Sequence, residues 1–211
     1  MNKEIIDKTI AALRHNHFEA FFAHNTAEAS AIFFRDIFPG LQVETVSWGD
    51  SETMKATGVL NELQKNPELS VIDSFAPGMS RKQKIYWRRQ ALLTDLFLTG
   101  SNALTQKGQL VNLDMIGNRV GGITFGPKHV VLFIGINKIT ALISHRLVWN
   151  LHTVQHTHGI CLYFLFAHCF ITPVRLMEVR YICVILVITV NDLRIYFIKY
   201  LFQDLPVPRC R

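Results

Sequence analysis

Asp95-Leu-Phe-Leu-Thr-Gly-Ser-Asn102 is the stretch that decides how this chain folds. Its first half is a short apolar run, the pattern of a strand buried on both faces. Its second half is a turn of small polar residues. A buried strand ending in such a turn is the repeating unit of an open α/β sheet. On its C-terminal side, Leu110 to Asp114 and Arg119 to Phe125 flank Gly117-Asn118, which predicts a hairpin. His129-Val-Val-Leu-Phe-Ile-Gly135 then predicts a strand that completes the sheet.

On its N-terminal side, helix and strand signals alternate. Ile5, Ile6, Thr9, Ile10 and Leu13 fall at helical spacing within residues 2–14. His17 to Phe22 predicts a short strand. Thr26 predicts the cap of a second helix, with Glu28 in its first turn and Ala29, Ile32, Phe33 and Ile37 on one face. Pro39-Gly40 stops that helix. Leu41 to Trp48 alternates as a strand, and Ser51 predicts the cap of a helix running to about Lys65. Ser70 to Phe75 is a further strand, and Ser80 opens a basic helix through Leu93. The pattern predicts an α/β fold, a parallel-rich sheet flanked by helices, over residues 1–140.

The chain has 211 residues, of which 49% are hydrophobic and 18% charged, enough for one domain with a real core. Its charge of +6 is unevenly spread. Residues 1–140 hold 15 Lys/Arg against 13 Asp/Glu, and residues 141–211 hold 7 against 3. The near balance of the first part gives no footprint for nucleic acid. Charges in Met-Asn-Lys-Glu-Ile-Ile-Asp-Lys8 replace the apolar stretch of a signal peptide, so a cytoplasmic protein without disulfides is expected.

Four constellations in this part could carry chemistry. In Thr99-Gly100-Ser101-Asn102, a glycine at a strand end lets backbone N–H groups converge, and the side chains add donors. That suits a phosphate or carboxylate, and ligands of open α/β sheets bind beyond the carboxyl ends of strands. The bland alternative is an ordinary strand-to-loop turn. In Asn112 to Arg119, Asp114 and Arg119 flank the Gly117-Asn118 turn. Arg119 could clamp an anion while Asp114 acts as a base or orients a hydroxyl, or the two could simply pair with each other. Gly49 and Ser51 stand at a helix start and form a secondary anion-site candidate, or a plain helix cap. Arg81 to Arg89 carries five cations and two aromatics, which reads as a solvated amphipathic face rather than a nucleic-acid platform. Farther on, His152 and His156 are spaced i, i+4 near His158, Cys161 and Cys169, but no Cys-x-x-Cys supports a metal site.

Together, Phe97-Leu-Thr-Gly-Ser-Asn-Ala-Leu-Thr105, Gly117-Asn-Arg-Val120, Phe125-Gly-Pro-Lys-His129 and Gly135-Ile-Asn-Lys-Ile139 resemble the LUD (lactate utilization) domain family, lactate utilization protein C type. The resemblance covers about residues 1–139. It implies a fold like that of ribose-5-phosphate isomerase and the CoA transferases, with the Thr99–Asn102 turn at the ligand pocket. It also places Asp114, Asn118 and Arg119 among the family's recognisable polar positions. The implied role is a component of L-lactate (2-hydroxy acid) oxidation to pyruvate. No cofactor is expected on the chain itself; an iron–sulfur cluster would sit on a partner lactate utilization subunit. A stand-alone enzyme acting on a sugar phosphate or acyl-CoA, and a non-catalytic partner-binding subunit, are the other two readings.

The family's Cys-rich ending is not readable after Thr140. Residues 160–174 and 181–190 are densely apolar yet too short for a membrane span of roughly 18–20 residues. The β-branched content of 181–190 suits buried strands, and equally an unpaired tail. Residues 141–211 are read as a divergent segment or the product of a reading-frame shift near codon 140. A foreign ending would leave the sheet without its last strand and the chain poorly soluble.

Overall fold

The computed structural model describes residues 3–112 and 114–141 in full, and the backbone of 183–189. The helices are α1 (Lys3–His15), α2 (Thr26–Ile32), α3 (Glu52–Ala56), α4 (Val59–Lys65), α5 (Arg81–Gln90) and α6 (Asn118–Thr124). The strands are β1 (Glu19–Ala23), β2 (Thr45–Trp48), β3 (Ser70–Val71), β4 (Leu96–Thr99), β5 (Ala103–Thr105), β6 (Leu110–Val111), β7 (His129–Gly135), β8 (Ile139–Thr140) and β9 (Cys183–Thr189). The main sheet runs β1-β9-β7-β4-β2-β3. Its four strands β7, β4, β2 and β3 are mutually parallel, and β9 lies antiparallel to both β7 and β1. The α/β class with a parallel-rich sheet is therefore as the sequence reads.

Side-chain alternation explains why helices cover both faces. Leu96, Leu98, Val131 and Phe133 point into a core with α2, α3 and α4. Phe97, Val130, Leu132 and Ile134 point to the opposite core, with Ile6, Ile10 and Leu13 of α1 and Ile123 of α6. Both central strands are buried on two sides, so they read as unbroken apolar runs rather than alternating ones.

Several elements differ from expectation. Residues 119–125 are not a strand. The hairpin forms one step earlier, where β5 pairs antiparallel with β6, and β8 joins β5 in a small second sheet. Gly117, at φ +82°, then turns the chain into α6, and the Asp114 carboxylate accepts the Val120 N–H at 2.7 Å. Gly121 and Gly122 weaken helix propensity but permit close packing. A Cβ on Gly122 would lie 2.8 Å from the Phe97 ring. Tertiary packing therefore wins over a sequence that reads as β.

The cap of α2 is Asn25 rather than Thr26; its Oδ1 accepts the Glu28 N–H at 2.8 Å. The helix opened by Ser51 breaks at Gly58, where φ is +74°, and so becomes α3 and α4. The strands read from Leu41 and to Phe75 shrink to β2 and β3. Ser80 does cap α5, with Gln83 completing a reciprocal capping box. Cys183–Thr189 fills the place between β1 and β7 that a lost ending would have left open. The His152–Cys169 cluster and the apolar run 160–174 lie outside the described residues. Among the described residues, no helix is long and apolar enough to cross a membrane.

Candidate functional site

Parallel pairing brings the candidate segments together. Trp48 is in register with Leu98, so the loops leaving β2 and β4 emerge side by side at one end of the sheet. The Gly49 N–H donates to the Leu98 carbonyl at 2.9 Å. A Cβ on Gly49 would lie 2.6 Å from Thr99 Oγ1, and one on Gly100 would collide with Ser51 Oγ and come 3.1 Å from the Phe133 carbonyl. These two glycines exist so that the loops can touch. Gly49 and Ser51 thus belong to the same site as Thr99 and Gly100, a contact between residues about fifty positions apart.

Not every small polar residue there is available to a ligand. Ser101 is wholly buried, and its hydroxyl lies 2.9 Å from the Ala103 carbonyl and 3.1 Å from that of Val111. Its one proton is taken up within the turn that starts β5. Ser51 caps α3 through the Met54 N–H. By contrast, Thr99 is 0% exposed and its Oγ1 has no partner among the described residues. Asn112 Oδ1, just past β6, is likewise buried and without a partner among them. A buried hydroxyl or amide oxygen left unpaired costs about 1–3 kcal/mol; Ser74 Oγ, Arg88 Nε and His129 Nδ1, elsewhere in the chain, share that condition.

Next to them sits a clasp. Arg119 Nε donates to Asp114 Oδ1 at 3.0 Å, and its Nη2 donates to Asn102 Oδ1. The side chains of Arg119 and Asp114 are only 13% and 8% exposed. Asp114 and Arg119 therefore do pair, across the start of a helix rather than across a hairpin turn. The second carboxylate oxygen of Asp114 holds the first turn of α6 through Val120. Asn102 ties the guanidinium back to the loop after β4. The clasp thus fixes a cation at the carboxyl end of the central strand, where open α/β sheets bind ligands. Gly117 serves backbone geometry alone, since a Cβ there would meet nothing within 4 Å. Asn118 opens α6 behind the clasp.

The sequence reading missed the end of β7. A Cβ on Gly135 would run into Asn137 Oδ1 and come within 3.8 Å of Thr53 Oγ1. This repeats the pattern of Gly100 and Asn102, a glycine ending a strand with an asparagine two residues on. That repetition was the available signal. Among the described residues, no cluster of His, Cys, Asp and Glu could hold a metal ion.

A parallel-rich sheet flanked by helices, with close-packed polar loops at the carboxyl ends of its central strands, defines an α/β domain. The chain belongs to the LUD domain family, whose model matches residues 6–148. The match extends past Ile139, where the resemblance in the sequence fades. No curated protein and no solved structure matches the chain.

Proposed function

We propose that this LUD-domain protein binds a small anion at the carboxyl end of β4 and serves lactate or related 2-hydroxy acid oxidation as a component of a larger system. The unpartnered, wholly buried Thr99 hydroxyl beside the Arg119 clasp carries this reading. Arg119 supplies the positive charge, and a guanidinium offers planar bidentate geometry to a carboxylate or phosphate. Asp114 and Asn102 act as positioning residues that hold its plane. The Thr99 hydroxyl donates to the anion, and Asn112 Oδ1 accepts from a hydroxyl such as that of a 2-hydroxy acid. Membership of a family associated with lactate utilization proteins supports lactate chemistry; iron–sulfur lactate utilization subunits are the partners this reading expects.

A thermal-shift screen of the full chain with lactate, pyruvate, sugar phosphates and CoA tests the reading. A ligand that binds the native state at a hundred times its Kd stabilises by about 2.7 kcal/mol, a readable rise in Tm. We expect lactate or pyruvate to raise the Tm of the wild type and to leave that of Arg119→Ala unmoved. A shift from a sugar phosphate or CoA alone would instead favour a stand-alone enzyme. No shift with any of them would leave a partner-binding role.

A further inference from the structure

The side of the molecule built by α5 and α6 carries a second feature, which borders the anion site at Met115 and Ile116. Every large apolar side chain that stands exposed among the described residues lies in one of two segments there. Tyr86, Trp87 and Leu93 belong to α5 and the turn after it; Met115, Ile116 and Phe125 flank α6. Leu93, Met115 and Phe125 are 77%, 79% and 82% exposed. The two segments pack on each other through Leu92, which lies against Gly121 and Gly126. The two segments are therefore neighbours on the surface.

The helix beneath them is wholly cationic. It carries Arg81, Lys82, Lys84, Arg88 and Arg89 and no acidic residue. None of the five forms an ion pair among the described residues. Arg88 turns inward over the Phe75 ring. Within α5, Lys82, Tyr86 and Arg89 fall at i, i+4 and i+7 along one exposed stripe, and the exposed Leu93 follows in the turn beyond the helix. No residue of α5 is buried, so core packing does not explain its aromatics.

We propose that this stripe, with Phe125 and Met115 beside it, seats the protein on an anionic lipid bilayer surface. Charge argues against the nearer occupants. A second copy would set cations against cations. Residues 141–211 of the same chain hold seven Lys/Arg against three Asp/Glu. A nucleic acid would use the cations and the rings but not Leu93, Met115 and Ile116. Protein interfaces deplete lysine at their apolar centres. At a bilayer surface, cations bind lipid phosphates while neighbouring Trp, Tyr, Phe and Leu side chains enter the headgroup region.

Sedimentation of the full chain with vesicles tests this directly. We expect binding to phosphatidylcholine vesicles containing about 30% phosphatidylglycerol, loss of binding in about 0.5 M salt, and little binding to pure phosphatidylcholine. Lys82→Glu with Arg89→Glu should weaken the anionic-vesicle affinity at least about tenfold. Leu93→Ser with Phe125→Ser should weaken it by roughly the same factor. All four positions are exposed, and a far-ultraviolet melt verifies each fold; two independent pairs keep the test alive if one pair fails to fold. The proposal is overturned if anionic vesicles do not sediment the protein, or if both variant pairs bind as the wild type does. Tighter capture by single-stranded RNA or by polyglutamate than by anionic vesicles would overturn it too.

Discussion

Two nearly buried carboxylates stand at opposite ends of the main sheet and do different work. Asp95 lies where β2, β4 and β7 begin. Its Oδ2 accepts the N–H groups of Glu44 and Thr45 at 3.1 and 2.9 Å and the Thr45 hydroxyl at 2.7 Å, while Oδ1 meets Lys128 Nζ at 2.5 Å. Asp114 lies beyond the end where those strands finish, and spends its oxygens on one guanidinium and one N–H. Asp95 ties the starts of three strands together, β2 through its backbone N–H groups and β7 through the Lys128 side chain. Asp114 aims a cation. The two ends thus differ in what their carboxylates hold; among the described residues, buried polar atoms without a partner remain at both, His129 Nδ1 at the starting end and Thr99 Oγ1 and Asn112 Oδ1 at the finishing end.

The largest expected effect separates the two ends. Asp95→Ala should lower stability by about 2–4 kcal/mol, because it strands buried donors and removes the strand tie. Chemical denaturation reads this. Burial alone would raise the Asp95 carboxyl, but Lys128, Thr45 and the two backbone N–H groups overcome that and hold it below the usual carboxylate range. The unfolded chain then takes up this proton first as pH falls. The contribution is fully present above roughly pH 4 and is lost on further acidification through the folded value. Asp95→Asn should therefore flatten the acid side of the stability profile, and an unchanged slope would remove Asp95 from the account.

Gly100→Ala should cost about 1–3 kcal/mol through overpacking against Ser51 and the Phe133 carbonyl. Adding Ser51→Gly should recover part of that loss by removing the Oγ it strikes. No recovery would mean that the backbone contact alone sets the cost. Smaller still, Asp114→Asn should lower stability by about 1–2 kcal/mol, since the amide keeps one acceptor for Arg119 or Val120. Its larger effect should fall on anion affinity, and an affinity equal to the wild type would make the clasp purely structural.

What was legible in the sequence follows from the same physics. β4 and β7 announce themselves because two-sided burial demands continuous apolar residues. Ser80 and Gln83 announce the start of α5 because capping is local. α6 was hidden: its start signals are a left-handed glycine and an aspartate outside the helix, and Gly121-Gly122 is poor helix sequence. The break at Gly58 was hidden for a similar reason, since an isolated glycine reads as tolerable in a helix. Within the site, residue types were readable but their partners were not. That Ser101 is used up by β5 and β6, while Thr99 has no partner among the described residues, depends on a register between distant strands.

Thr99→Val is the decisive substitution, because it removes one oxygen at nearly constant volume. With Oγ1 buried and without a partner among the described residues, unfolding stability should stay level or rise. The lactate- or pyruvate-induced rise in Tm should shrink or vanish. A variant that unfolds more easily, or that keeps the full ligand response, would contradict a ligand role for Thr99.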